Sequence, residues 1–160
     1  MNIVQRVPVT KAGIEQMRQE LSRMKKVDRP AIVLAIATAR ALGDLKENAE
    51  YHAAKEQQGL LEAKISQLED QVSRSQVIDL STMTNDGRVV FGSTISLENQ
   101  ENEKKVQFTI VGQFEADLSQ NKLSIISPMA RAVIGKMLGD IVAVKTPAGL
   151  VEYEILSVDY

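Results

Sequence analysis

Apolar residues that step by threes and fours dominate the first half of the chain. Ile14, Met17, Leu21 and Met24 are spaced 3, 4 and 3, and beyond a break at Gly43 the series Tyr51, Ala54, Gln58, Leu61, Ile65, Leu68 and Val72 keeps the same alternation. Steps of this kind place one stripe along one face of a helix, the seam of a two-stranded coiled coil. Two such seams with one break between them predict an antiparallel helical hairpin. The residues around the stripes are rich in Ala, Leu, Glu, Gln, Lys and Arg, all strong helix formers. Between residues 10 and 76 the breakers are Pro30, Gly13, Gly43 and Gly59. Pro30 has no backbone donor and crowds the turn before it, so the first helix is expected to kink there. The seam slips at the same place: Asp28 takes a nominal core position, and Ile32 and Ile36 resume on a shifted phase.

Helical arms of about 30 residues at roughly 1.5 Å each are about 45 Å long. A domain of about 80 residues has a gyration radius of only about 12 Å, so the hairpin is expected to project. Towards the break both arms become alanine-rich, with Ala31, Ala35, Ala37, Ala39 and Ala41 on one and Ala49, Ala53 and Ala54 on the other. That predicts a slender end. Charge divides between the arms: residues 1–43 carry eight basic and three acidic side chains, and residues 44–79 carry four basic and eight acidic. Pairing between the arms accounts for this, and so does a basic face for a phosphate backbone; the charges alone leave both open.

After Val77 the period changes. Turn signals at Asn85-Asp86-Gly87 and Thr146-Pro147-Ala148-Gly149 separate β-branched runs at Thr94–Leu97, Val106–Val111, Ile141–Val144 and Val151–Ile155. Val106, Phe108 and Ile110 alternate with Gln107 and Thr109, as on a half-buried strand. Ser127-Pro128 reads as an N-cap followed by the first helical residue, opening a short helix over Met129–Lys136. The fold class is therefore α+β: a hairpin domain over 1–76 and a β-rich domain with one short helix over 77–160, joined near residues 76–82.

Composition excludes several kinds of chemistry. There is no cysteine and one histidine, His52, which rules out disulfides, iron–sulfur clusters, Cys/His zinc sites and a thiol nucleophile. A net charge of −2 gives no long-range pull towards nucleic acid. Aromatics make up 4% of the chain, with no Trp, so a stacking platform for single strands is poorly supported. Met1 to Thr10 lacks an apolar core of leader length, and no apolar run nears the roughly 18 residues of a membrane span. A cytoplasmic monomer without membrane contact is expected.

The break reads Arg40-Ala41-Leu42-Gly43-Asp44-Leu45-Lys46-Glu47-Asn48-Ala49-Glu50-Tyr51. Gly43 suits a left-handed residue closing the first arm. Asp44 with Glu47 three residues on matches a capping box opening the second. Two carboxylates at the end of a hairpin can also present oxygens to a hard cation. Mg²⁺ commonly takes one or two protein carboxylates and keeps several waters. Without a third ligand the pair holds a cation weakly, and a partner must supply the rest. His52 reads as a surface helix residue without an assigned role.

The run Gly43 to Lys55 (GDLKENAEYHAAK) resembles the signature of the GreA-type members of the bacterial Gre family of transcript cleavage factors. The likeness extends over nearly the whole chain. Pro8, Thr10 and Gly13 match the family's start, and Arg29-Pro30 its mid-helix element. Phe91-Gly92, Ile110-Val111-Gly112, Glu115-Ala116-Asp117, Ser127-Pro128, Thr146-Pro147 and Tyr153 to Tyr160 match its second domain. A slightly longer N-terminus and Leu42 before Gly43 depart from the pattern without touching the acidic pair.

The resemblance implies an FKBP-like second domain that docks on RNA polymerase at the rim of its secondary channel, through Asp117, Ser127 and Pro128. It implies a hairpin inserted through that channel. Asp44 and Glu47 would then help hold a Mg²⁺ shared with the polymerase, none being bound stably by the factor alone. Backtracked RNA would be cut by the polymerase's own active centre, the factor acting in trans and not as an enzyme. Arg40, Lys46 and Lys55 become candidates for guiding the nascent RNA 3′ end. The few aromatics, Phe91, Phe108, Phe114 and two tyrosines, speak against isomerase activity. Two other readings are a channel-binding inhibitor of the same shape, opposed by the acidic pair, and a hairpin chaperone or isomerase, opposed by the polar end.

Overall fold

The computed structural model describes residues 5–160. The first four residues, part of the stretch read above as lacking a leader, lie outside them. The described residues divide into two units, one formed by Ile14–Arg74 and the other by residues 5–13 together with Ser75–Tyr160.

The helical unit is the expected hairpin. Its arms are built from α1 (Lys11–Arg23), α2 (Arg29–Arg40) and α3 (Ala49–Arg74). Buried side chains follow the predicted seams: Ile14, Met17, Met24, Ile36 and Ala39 before the break, and Ala54, Leu61, Ile65 and Leu68 after it. Leu21, Tyr51, Gln58 and Val72 are half-buried. Between α1 and α2 the chain makes a wide π turn over Met24–Asp28, where the Arg29 N–H donates to the Met24 carbonyl five residues back. Pro30 sits in the first turn of α2. Its missing donor and bulky ring are therefore accommodated by a widened turn, not by a break. The extra residue in that turn rotates the stripe, which is why the seam resumes at Ile32 and Ile36 on a new phase.

Opposite charges meet across the arms. Arg29 donates to both oxygens of Glu62, at 2.7 and 2.9 Å, and Lys25 pairs with Glu69. These bonds favour the pairing account of the charge split. Hydrogen bonding to Arg29 holds the Glu62 carboxyl below its ordinary value. A depressed folded-state pKa means stability that is complete above the ordinary glutamate range and lost as pH falls through the folded value. Thermal unfolding should accordingly shift to lower temperature as pH drops below about 4.5, the unperturbed glutamate value. Glu62→Gln should flatten that acid limb, read by circular dichroism at 222 nm. The pair is solvent-exposed, so the effect is small and shrinks with salt.

In the second unit a five-stranded sheet runs in the order β5-β4-β3-β7-β6. Its strands are β3 (Thr94–Asn99), β4 (Lys105–Val111), β5 (Lys122–Ser124), β6 (Ile141–Thr146) and β7 (Gly149–Asp159). The helix α4 (Pro128–Val133) packs Ala130 and Val133 into one core with Val89, Ile95, Leu97, Ile110, Leu123, Val142, Val144, Ile155 and Val158. Ser127 caps it, its Oγ accepting from the Ala130 N–H at 3.1 Å. The helix ends at Val133, three residues earlier than predicted, just before Gly135 at φ +80°.

One boundary differs from the sequence reading, which assigned all of 1–76 to the hairpin. Strand β1 (Val7–Thr10) pairs in parallel with β2 (Ser75–Ile78), Val7 facing Ser75 and Thr10 facing Ile78. The stretch Val7–Thr10 thus belongs to the β-rich unit. Glu115 secures it there, accepting from the Thr10 N–H and hydroxyl and from the Gly112 N–H. A four-residue strand whose paired residues lie 68 positions away leaves no local periodicity to read.

Candidate functional site at the hairpin turn

Between α2 and α3 runs a non-helical connection over residues 41–48. Gly43 lies at φ +126° with open space where a Cβ would stand, so it is needed for its backbone angle and not for packing. The predicted capping box is not formed. Helix α3 starts at Ala49, and Asn48 is its cap, with Oδ1 accepting from the Tyr51 N–H at 3.0 Å. Asn48 also reaches across, its Nδ2 donating to the Ala39 carbonyl at 2.6 Å. One amide thus closes the end of α2 and opens α3, which Asp44, four residues upstream, cannot do.

That leaves the acidic pair outside the helix. The Asp44 carboxylate accepts the Lys46 N–H at 3.0 Å in a local turn. The Glu47 carboxylate has no hydrogen-bond or ion-pair partner among the described residues. Both side chains are exposed, and both line one cleft with Leu42, Asn48, Ala49 and Glu50. Glu50 is a third carboxylate on that cleft, which the sequence reading missed. Even so, no three acidic or imidazole groups among the described residues come close enough to hold a metal ion. Two exposed carboxylates with no third such group close enough to join them among the described residues offer a hard cation only part of its ligand shell.

The basic candidates are placed unequally. The Arg40 guanidinium lies over the Tyr51 ring, 5.8 Å from its centroid. Lys46 is exposed between the two acids. Lys55 donates to the Gln58 side chain at 3.2 Å, along α3. His52, given no role from the sequence, bonds to the Lys46 carbonyl at 3.1 Å.

In the other unit, Asp117 and Ser127 flank β5 at its two ends. Asp117 caps a short 3-10 turn, accepting from the Ser119 N–H at 3.0 Å and hydroxyl at 2.6 Å. The Ser119 hydroxyl bond, more than any other contact, draws its carboxyl below the ordinary aspartate value. Pro128 is exposed at the first position of α4. Asp117 and Ser127 thus have local structural partners whatever else they touch. Among the described residues no helix is long and apolar enough to cross a membrane.

Two family models together match most of the chain. One, described as transcription elongation factor, N-terminal, matches residues 7–77, and the other, described as transcription elongation factor, GreA/GreB, C-term, matches residues 83–160. The transcription elongation factor GreA of Nitrosococcus oceani is 52% identical over 155 residues, 97% of this chain and 98% of its own. The protein of the same name from Legionella pneumophila strain Corby is 54% identical over 153 residues, 96% of each chain. Among solved structures, the GreA factor homolog 1 of Thermus thermophilus is 26% identical, covers 98% of this chain and 100% of its own, and superposes with a TM-score of 0.44.

Proposed function

This chain belongs to the GreA/GreB family of transcription elongation factors, and from that premise we propose that it brings its hairpin turn into the active centre of RNA polymerase and there stimulates cleavage of backtracked RNA. The observation that carries the reading is the placement of Asp44 and Glu47. Both carboxylates are exposed on one cleft of the connection, neither is consumed by an ion pair, and Glu47 is wholly unpartnered among the described residues. A capping role would have buried their charge in helix N–H groups; here Asn48 takes that task and frees them.

In this account Asp44 and Glu47 supply two anionic oxygens, and the polymerase supplies the remaining ligands. The cation held between them would provide Lewis acidity for hydrolysis of an RNA phosphodiester. Lys46 stands between the acids with its ammonium free to meet an RNA phosphate. Arg40, stacked on Tyr51, and Lys55, further along α3, extend that positive flank towards the RNA 3′ end. Docking on the rim of the secondary channel falls to the β-rich unit, through the exposed Asp117 and Pro128 and the half-buried Ser127. The chemistry belongs to the polymerase; the factor acts in trans.

Adding the protein to a stalled, backtracked elongation complex with a labelled transcript tests this. Shortening of the RNA from its 3′ end, faster than the polymerase achieves alone, is expected. Binding that slows elongation with no shortening would identify a channel inhibitor instead and overturn the reading.

A further inference from the structure

Between Gly43 and Asn48 the connection is held by little. At its start, Leu42 and Gly43 N–H groups donate to the Ala39 and Arg40 carbonyls at 3.1 and 3.5 Å, and at its end Asn48 makes its two bonds. The Asp44 bond to Lys46 is internal to the stretch. Among the described residues, one hydrogen bond reaches residues 44–47 from outside it: His52 Nε2 to the Lys46 carbonyl, at 3.1 Å. A carbonyl can only accept, so Nε2 carries the proton and donates.

The imidazole is itself held. Tyr51 stands edge-on to it, with ring centroids 5.6 Å apart and planes at 64°, and the Arg40 guanidinium covers the Tyr51 ring from α2. A line of contacts therefore runs from the end of α2 through Tyr51 and His52 to the peptide joining Lys46 to Glu47. Lys46 is gripped on both sides, its N–H by Asp44 and its carbonyl by His52.

We propose that His52 is a positioning residue for the acidic pair: by fixing the Lys46 carbonyl it sets the chain between Asp44 and Glu47 so that both carboxylates face one cation. This rests on the cleavage reading above for its purpose, but not for its geometry. His52 itself touches neither cation nor RNA. Groups that orient ligands from behind commonly govern metal affinity by an order of magnitude or more. A single exposed hydrogen bond acting this way should be worth roughly a fivefold change.

Two measurements test it. In the isolated full-length protein, long-range ¹⁵N–¹H correlation of the neutral imidazole should show the Nε2–H tautomer. The Nδ1–H tautomer, or a freely exchanging mixture, would overturn the contact. In stimulated cleavage, His52→Phe keeps the ring against Tyr51 and removes the donor. It should raise the Mg²⁺ concentration for half-maximal rate about fivefold, with polymerase affinity unchanged. His52→Gln, whose amide nitrogen overlays Nε2, should restore the wild-type requirement. An unchanged Mg²⁺ requirement in His52→Phe would overturn the positioning role, provided Asp44→Asn in the same assay is defective. If Asp44→Asn is itself fully active, the cleavage reading fails, and so does the purpose assigned to His52.

Discussion

Replacing both tip acids, Asp44→Asn with Glu47→Gln, should reduce stimulated RNA cleavage by about a hundredfold while leaving the fold intact. The asparagine side chain that replaces Asp44 keeps an Oδ1 able to accept the Lys46 N–H, so the local turn survives. Glu47 has no partner to lose among the described residues, and surface changes of this kind alter stability by no more than about 0.5 kcal/mol. What disappears is two anionic oxygens, and a hard cation depends on them far more than on neutral amide oxygens. Mutating groups that merely orient a metal's ligands costs about 10- to 100-fold, and that sets a lower scale for removing two ligands. Polymerase affinity should stay near wild type, since docking is assigned to the other unit. Melting curves that coincide, beside cleavage time courses that do not, are the expected result. Loss of both together would mean that the acids hold the hairpin turn and not a cation.

Gly112→Ala should strongly destabilise the β-rich unit. A Cβ at this position would stand 2.0 Å from the Pro8 carbonyl oxygen and 3.1 Å from Glu115 Oε2. The first is backbone, in a strand fixed by its pairing with β2, and cannot swing aside. Relief requires β1 to move off, which also strains the Glu115 bonds to Thr10 and Gly112. Overpacking of this severity costs about 3 kcal/mol. For a unit of about 100 residues that lowers its melting temperature by about 12–24 °C. Calorimetry of the variant measures it directly, and an unchanged transition would show that β1 is not seated as described.

The hairpin was legible because its two seams repeat over many turns and each step adds to the same signal. The π turn at Met24–Asp28 was only half legible. Pro30 announced a disturbance and the seam's phase slip located it, but nothing local says whether a helix kinks or widens. β1 escaped notice because two inward residues, Val7 and Val9, are too few to define a period, and its partner β2 is distant in sequence. At the tip, Asp-x-x-Glu and Asn48 both offered caps. The geometry chose Asn48 because one amide there serves both helix ends. The acidic pair could be singled out from sequence by residue type and resemblance. The His52 contact could not, since a side chain reaching a backbone carbonyl six residues back depends on a loop path that no pattern encodes.

A Mg²⁺ titration of stimulated cleavage, run on backtracked complexes with wild-type protein and with the Asp44→Asn, Glu47→Gln variant, bears most directly on the shared-cation claim. If the acids complete a cation site, wild-type protein reaches its maximal rate at far lower Mg²⁺ than the variant, and the variant regains part of the lost rate at high Mg²⁺, because a weakened site refills by mass action. Superimposable titration curves for the two proteins would contradict it.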